Sequence, residues 1–489
     1  IMTSLLDAFN TEGRTANGGK TNLSSMDPCV DLFGAVGASR GKNIVNLMSA
    51  AYNAGDKDLA TRIMLWARDV RGGAGERQLF RDFLVYLDKT DPSQVLRFMH
   101  LIPEVGRWDD LLVFTNQKTK YAAYEMIRTA LEAKDGLCAK WMPRQKKIAN
   151  ELRKHVQKVT GRYITPKMWR VALKNLSDTV EQKLSAKDFD SIDFSKLPSV
   201  ASARYQKAFL RNCETCYRAY LDALTSKDPE VAKTVKINAG AVYPYDIMKS
   251  MVRGESQAAN AQWDALPDYL EGSDERILPM VDVSGSMGCS AGGSKTVTCM
   301  DVAVSLGLYI SERLEGTFKD TFLTFSGSPQ LVKLNGSLCD RMLQCKRSDW
   351  GMNTDIAKAF KTVLDNAVRA GVPQEEMPTK ILILSDMEFD SCTGGRSYGY
   401  GGRHDAGKWD KTALQYARSA YQEAGYKLPE IIFWNINARE GNSPVTVNDK
   451  GAALVSGFSP AIMRSILSCK NVTPTDMMLE TVNKERYSF

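Results

Sequence analysis

The chain has 489 residues, 43% apolar and 25% charged, with a formal net charge of +7; this is the composition of an ordinary globular protein with room for two domains or more. No run approaches the about 20 uninterrupted apolar residues of a membrane span, and the first residues lack the basic-then-apolar order of a secretory signal. The expectation is a cytoplasmic protein without a membrane partner, with nothing to choose between a cell and a virion, and a charge this modest does not by itself imply nucleic acid.

The first part of the chain reads as helix after helix. Leu59, Ile63, Trp66 and Val70 recur at spacings of four, three and four, and Leu79, Phe80, Phe83, Leu84 and Leu87 do likewise. Between them "RGGAGE" (Arg71 to Glu76) supplies the glycines of a tight helix-to-helix turn. "VLRFMHLI", "RWDDLLVF" and "YAAYEMIRTALEA" continue the pattern. Such a run of helical hairpins is the kind that stacks into a solenoid, although no strict period is visible.

From Lys140 to Lys174 the charge is concentrated. Lys140, Arg144, Lys146, Lys147, Arg153, Lys154, Lys158, Arg162, Lys167, Arg170 and Lys174 face a single acid, Glu151, with Trp141, Tyr163 and Trp169 interleaved. Cations of this kind can neutralise phosphates while aromatic faces stack bases; the alternative is a solvated basic helix face with its aromatics in the core. Further on, Cys213 and Cys216 form a lone CxxC on a helical pattern, which reads as two half-buried thiols. The three histidines, His100, His155 and His404, are too scattered for a zinc site or a histidine-driven hydrolase.

Around Asp274 the pattern changes. "RILPMVDV", "DTFLTFS", "KILILSD", "EIIFWNI" and "ALVSGF" are short apolar runs separated by amphipathic helical stretches. Strands apolar on both faces and alternating with helices predict a doubly wound α/β unit over 275–489, with ligands at the C-terminal strand ends, after a helical region over 1–274. A glycine-rich segment, Ser391 to Trp409, reads as a surface loop close to those ends.

The first of these strands runs into "DVSGSMG". Asp282, Ser284 and Ser286 leave its end, and Gly285 and Gly288 suit a backbone folded tightly around a small object. Hard oxygen donors at this spacing suit Mg²⁺, or alternatively Mn²⁺ or Ca²⁺, rather than zinc. Later loops at the same sheet edge add Thr354, from "WGMNTD", and Asp386, from "LSDMEFD". In this five-point pattern the region from about Glu275 onward resembles a von Willebrand factor A domain with a metal-ion-dependent adhesion site. The unfinished coordination sphere of such a site takes a partner's Asp or Glu, or a phosphate. It implies binding rather than turnover, because only Glu388 and Asp390 lie near enough in sequence to act as a base, and they read as a solvated loop or a helix cap.

The segments "ARDVRGGAGERQLFRDFLVYL" and "GRWDDLLVF" resemble the Ro autoantigen family. Its TROVE module is a ring of HEAT-like helical repeats closed by a von Willebrand A domain. A TROVE-related branch carrying "KWMPR" and "SDMEFD" is nearer than the animal Ro proteins. Ro proteins bind small structured RNAs outside the ring and thread single-stranded 3′ ends through it. The resemblance therefore implies a non-catalytic scaffold for structured or single-stranded RNA, not DNA, with a protein partner docking an acidic residue at the metal site. The alternative is a metal-dependent adhesion or assembly component of a larger cellular or viral particle without RNA; a metal-dependent enzyme is the third reading. Arg71, Arg77 and Arg107 serve equally well as structural partners of helix ends or of Asp109 and Asp110.

Overall fold

The computed structural model describes residues 11–226, 228–251, 256–325, 329–347, 354–390 and 411–489. It opens with a hairpin of β1 (Glu12–Arg14) and β2 (Lys20–Asn22), then turns helical. The helices that position the sites are α1 (Pro28–Val36), α2 (Val45–Ala54), α3 (Lys57–Arg68), α4 (Arg77–Thr90), α5 (Gln117–Glu132), α6 (Gly136–Trp141), α7 (Lys146–Thr160) and α8 (Pro166–Ser177). Asp56 caps α3 by accepting from the Asp58 and Leu59 amides, satisfying donors that a helix start leaves open. The α4 stripe Leu79, Phe80, Phe83, Leu84 and Leu87 is wholly buried, as its spacing predicts; each such side chain stabilises the fold by about 2 kcal/mol. The α3–α4 turn needs its glycine, since a Cβ on Gly73 would stand 1.8 Å from the Trp66 carbonyl oxygen.

The RWDDL segment is held from below by cations of two helices. Asp110, fully buried, accepts from Arg68 Nε at 2.8 Å and from Arg81 Nε at 2.6 Å. Arg107 pairs with Asp109 at 2.9 Å, its structural reading, whereas Arg71 and Arg77 are exposed and make no ion pair among the described residues. Downstream, the helices Ser199–Asn212 and Glu214–Leu224 gather a small separate core around Phe194, Phe209 and Tyr217.

The region from Ile277 onward carries one six-stranded sheet: β3 (Ile277–Asp282), β4 (Thr321–Phe325), β5 (Gln330–Lys333), β6 (Lys380–Ser385), β7 (Glu430–Asn435) and β8 (Ala452–Ser456), in the order β5-β4-β3-β6-β7-β8. All neighbours are parallel except β4 and β5. The sheet is therefore mixed: the edge strand β5 was not foreseen, because "QLVK" is short and largely exposed and has no apolar run to mark it. Chain order reverses between β3 and β6, and that reversal opens a crevice at their C-terminal ends.

One face of the sheet (Leu278, Met280, Ile381, Ile383, Phe433) packs on the helices α10 (Ile356–Ala370) and α11 (Ala413–Glu423). The other (Val281, Leu382, Leu384, Ile432, Trp434, Val455) packs on α9 (Cys299–Arg313) and shares one continuous core with α1, α3 and α4. The two regions also exchange ends. The β1–β2 hairpin pairs with Ser443 beyond β7, while Arg486 and Tyr487 near the C-terminus bind Asp69 at the end of α3. Among the described residues no helix is long and apolar enough to cross a membrane.

Candidate functional site

Asp282 ends β3 and Asp386 follows β6, so the crevice sets their carboxylates side by side, both buried. The Ser284 amide donates to Asp282 Oδ1 at 3.0 Å, and this turn brings Ser284 Oγ within 3.0 Å of Ser286 Oγ. Ser286 Oγ in turn donates to Asp386 Oδ1 at 3.4 Å. Thr354 is buried on the same edge, and its amide donates to Asp390 Oδ2 at 2.9 Å. Four of the five motif residues are thus linked by hydrogen bonds, and Thr354 joins them through the 388–390 segment.

The donor set fits a hard cation. Adjacent oxygens of an octahedron with metal–oxygen distances of about 2.1 Å stand about 3.0 Å apart, and the two serine hydroxyls have that separation. Among the described residues no three His, Cys, Asp or Glu side chains converge as a metal cluster; an ion here would rest on hydroxyls and two carboxylates, the wrong chemistry for zinc. Burial, and then the neighbouring Asp386, push the Asp282 carboxyl up to about 7, against hydrogen bonds from Ser284 and Ser385. Burial likewise raises Asp386, with Arg439 opposing. The arrangement favours a positive charge between them. Gly288 is not there for space: a Cβ on it would meet nothing within 4 Å.

Three features of the site lay outside the sequence reading. Ser385 donates to Asp282 Oδ2 at 2.5 Å and fixes that carboxylate from the neighbouring strand. Arg439, from the loop after β7, stands 3.3 Å from Asp386 and 3.3 Å from Glu388. The β1–β2 hairpin walls the site: Asn17 Nδ2 donates to Thr354 Oγ1 at 3.3 Å and to the Glu388 carbonyl at 2.6 Å, and Thr15 Oγ1 donates to the Phe389 carbonyl at 2.6 Å. Only glycine fits at position 19, where a Cβ would lie 2.3 Å from that same carbonyl oxygen. Glu388 is consequently no solvated loop residue. It is buried and accepts from the Ala16 amide and from Asn442 Nδ2. The glycine-rich segment Ser391 to Trp409 lies outside the described residues.

The basic stretch forms α6, α7 and α8. Ala149 and Leu152 bury one face of α7, and Trp169 and Leu173 one face of α8. Arg144, Lys146, Lys147, Lys154, Lys158, Arg162, Lys167, Arg170 and Lys174 are exposed, while Lys140 and Arg153 are half-buried. Several are already engaged: Lys140 lies over Trp141, Arg144 bonds Ser177 Oγ, Lys147 stands 3.9 Å from Glu151, and Arg153 holds the Ile164 carbonyl. Lys146, Lys154, Lys158, Arg162, Lys167, Arg170 and Lys174 make no ion pair among the described residues. The aromatics divide. Trp169 is in the core with its Nε1 on the Pro143 carbonyl, Trp141 is stacked under Arg107 at 3.7 Å, and Tyr163 alone of the three is presented, 74% exposed.

Two family models match the chain. One, described as a domain of unknown function (DUF2828), matches residues 15–116 and 136–274; the other, described as a domain of unknown function (DUF7788), matches residues 277–488. The chain is also similar to the uncharacterized protein L728 of Acanthamoeba polyphaga mimivirus, with 28% identity over 527 residues, covering 96% of this chain and 86% of the relative. The alignment with the relative spans both matched stretches. None of these descriptions names a ligand or a reaction, and the functional reading rests on the site.

Proposed function

We propose that the protein is a non-catalytic RNA-binding scaffold of the Ro type, whose sheet is a von Willebrand A domain with a cation-dependent adhesion site and whose helical region is built of HEAT-like repeats. The observation that carries the RNA reading is the set of seven uncommitted cations on α7, α8 and the turn between them, flanking exposed Tyr163. Their side chains are free to neutralise phosphates with release of counterions, and the tyrosine ring offers one stacking face. At the crevice, Asp282, Ser284, Ser286, Thr354 and Asp386 would hold Mg²⁺, or Mn²⁺ or Ca²⁺. The ion would supply an electrophilic vertex for a partner's carboxylate. A binding role is supported by Glu388, whose oxygens are engaged by the Ala16 amide, Asn442 and Arg439 and so offer no free general base.

The test is binding of a hairpin RNA with a single-stranded 3′ tail to the full chain and to a variant with Lys154, Lys158, Lys167 and Arg170 changed to Glu. Tight binding that the variant loses while keeping its circular dichroism supports the reading; absence of binding at low salt overturns it. A second reading, metal-dependent protein adhesion without RNA, is favoured by Trp169 lying in the core and the Trp141 ring being covered by Arg107. It predicts a partner captured with Mg²⁺ and released by chelator, with no RNA in the complex.

A further inference from the structure

The residues just after the oxygen cluster carry a second chemistry. Beyond the turn Gly285–Gly288 the chain forms a short antiparallel bridge: Ser290 pairs with Thr298, the Ala291 amide donates to the Val297 carbonyl at 2.9 Å, and the Cys299 amide to the Cys289 carbonyl at 3.0 Å. The bridge places Cys289 opposite Cys299, the first residue of α9, with their sulfurs 3.4 Å apart. Residues opposed in this way stand about 5.5 Å apart at Cα, within the span a disulfide accommodates. Both are free thiols.

Their surroundings differ from those of the other buried cysteines. Cys29 and Cys138 face backbone carbonyls at 3.8 and 3.9 Å, as small apolar residues do. Cys289 instead receives a hydrogen bond from Asn437 Nδ2 at 3.4 Å, and the oxygen of that amide is held by Lys42 Nζ at 2.6 Å. A cation thus braces a donor aimed at the sulfur. Exposure is also divided between the two. Cys289 is half-buried and reachable, whereas Cys299 is wholly buried and can be reached only by its neighbour.

We propose that Cys289 and Cys299 are a redox pair, oxidised to an intramolecular disulfide by a small-molecule disulfide and restored by a dithiol. The Cys289 thiolate attacks one sulfur of the reagent, forming a mixed disulfide and releasing one thiolate. Cys299 then attacks the Cys289 sulfur and expels the second thiolate, which takes up the Cys299 proton. Two protein thiols are oxidised and one reagent disulfide is reduced to two thiols. The bond closes the loop Ser290 to Thr298 directly after Ser286, at the crevice, and it requires neither a bound cation nor RNA.

The test uses the reduced full chain incubated with oxidised glutathione, then alkylated and digested with trypsin. Cleavage at Lys295 separates the two cysteines, so the disulfide appears as peptide 277–295 joined to peptide 296–313, lighter by the two thiol hydrogens and resolved by dithiothreitol. In Cys299→Ser, glutathione stays on Cys289; in Cys289→Ser, Cys299 takes up no glutathione and is recovered alkylated. Circular dichroism of both variants confirms that they fold. Complete alkylation of both cysteines in the oxidised wild-type chain, glutathione persisting on its Cys289, or glutathione on Cys299 in Cys289→Ser would each overturn the proposal.

Discussion

The C-terminal edge of the sheet and the surface of α7 and α8 are both charged, and they hold charge in opposite ways. At the edge, Asp282 and Asp386 are buried, and their oxygens are fixed by an amide of the adjoining turn and by a hydroxyl and a guanidinium from other segments. On α7, α8 and the turn between them most cations stand in water, and seven of the exposed ones have no ionic partner among the described residues. Buried charge is costly unless something compensates it, so its arrangement is specific and intolerant of change. Exposed charge contributes little to stability and is available for a partner. A substitution should therefore act mainly on folding or on cation binding where charge is buried, and mainly on RNA where it is exposed.

The largest expected effect is at a buried pair away from both sites. Asp110→Ala leaves the Arg68 guanidinium buried without its partner, and urea unfolding should show a loss of about 3–5 kcal/mol. A loss below about 1 kcal/mol would break the comparison at its root. Next, the fourfold reversal at Lys154, Lys158, Lys167 and Arg170 should weaken RNA binding about 100-fold at 100 mM salt while leaving the unfolding midpoint nearly unchanged. Third, Ser286→Ala should weaken Mn²⁺ binding, followed by calorimetry, by about tenfold or more without altering RNA affinity; equal affinity for Mn²⁺ would remove Ser286 from the cation's shell. The smallest effect concerns acid. Asp88 is buried, which raises its carboxyl, but hydrogen bonds from Thr119 and from the Thr115 and Asn116 amides outweigh burial and hold it below the ordinary 3.8. Its stabilising contribution is therefore present above about pH 4 and lost as pH falls through the depressed folded value. Asp88→Asn should flatten that part of the stability curve in acid-titrated unfolding.

Much of this organisation was legible from spacing. Apolar periodicity gave the α3 and α4 stripes, and β-branched runs gave the five parallel strands, because burial on one or both faces leaves a pattern in the sequence. The Asp282, Ser284, Ser286 and Asp386 cluster was legible because strand ends in this sheet type meet at one edge. What spacing does not carry is contact across long sequence separation. Arg439 reaches Asp386, Asn17 reaches Thr354, and Arg68 and Arg81, rather than Arg71 and Arg77, meet Asp110; no local pattern marks these pairs. The fate of Trp141 and Trp169 was equally hidden, since interleaved aromatics read alike whether they face water or the core.

The measurement that bears most directly on the account is the salt dependence of RNA affinity for the wild-type chain and for the fourfold variant. If the α7 and α8 cations carry the contact, the logarithm of the association constant falls with the logarithm of salt at a slope of about −3 or steeper, and the slope shrinks markedly in the variant. Affinity that does not respond to salt, or a slope the variant leaves unchanged, would contradict it.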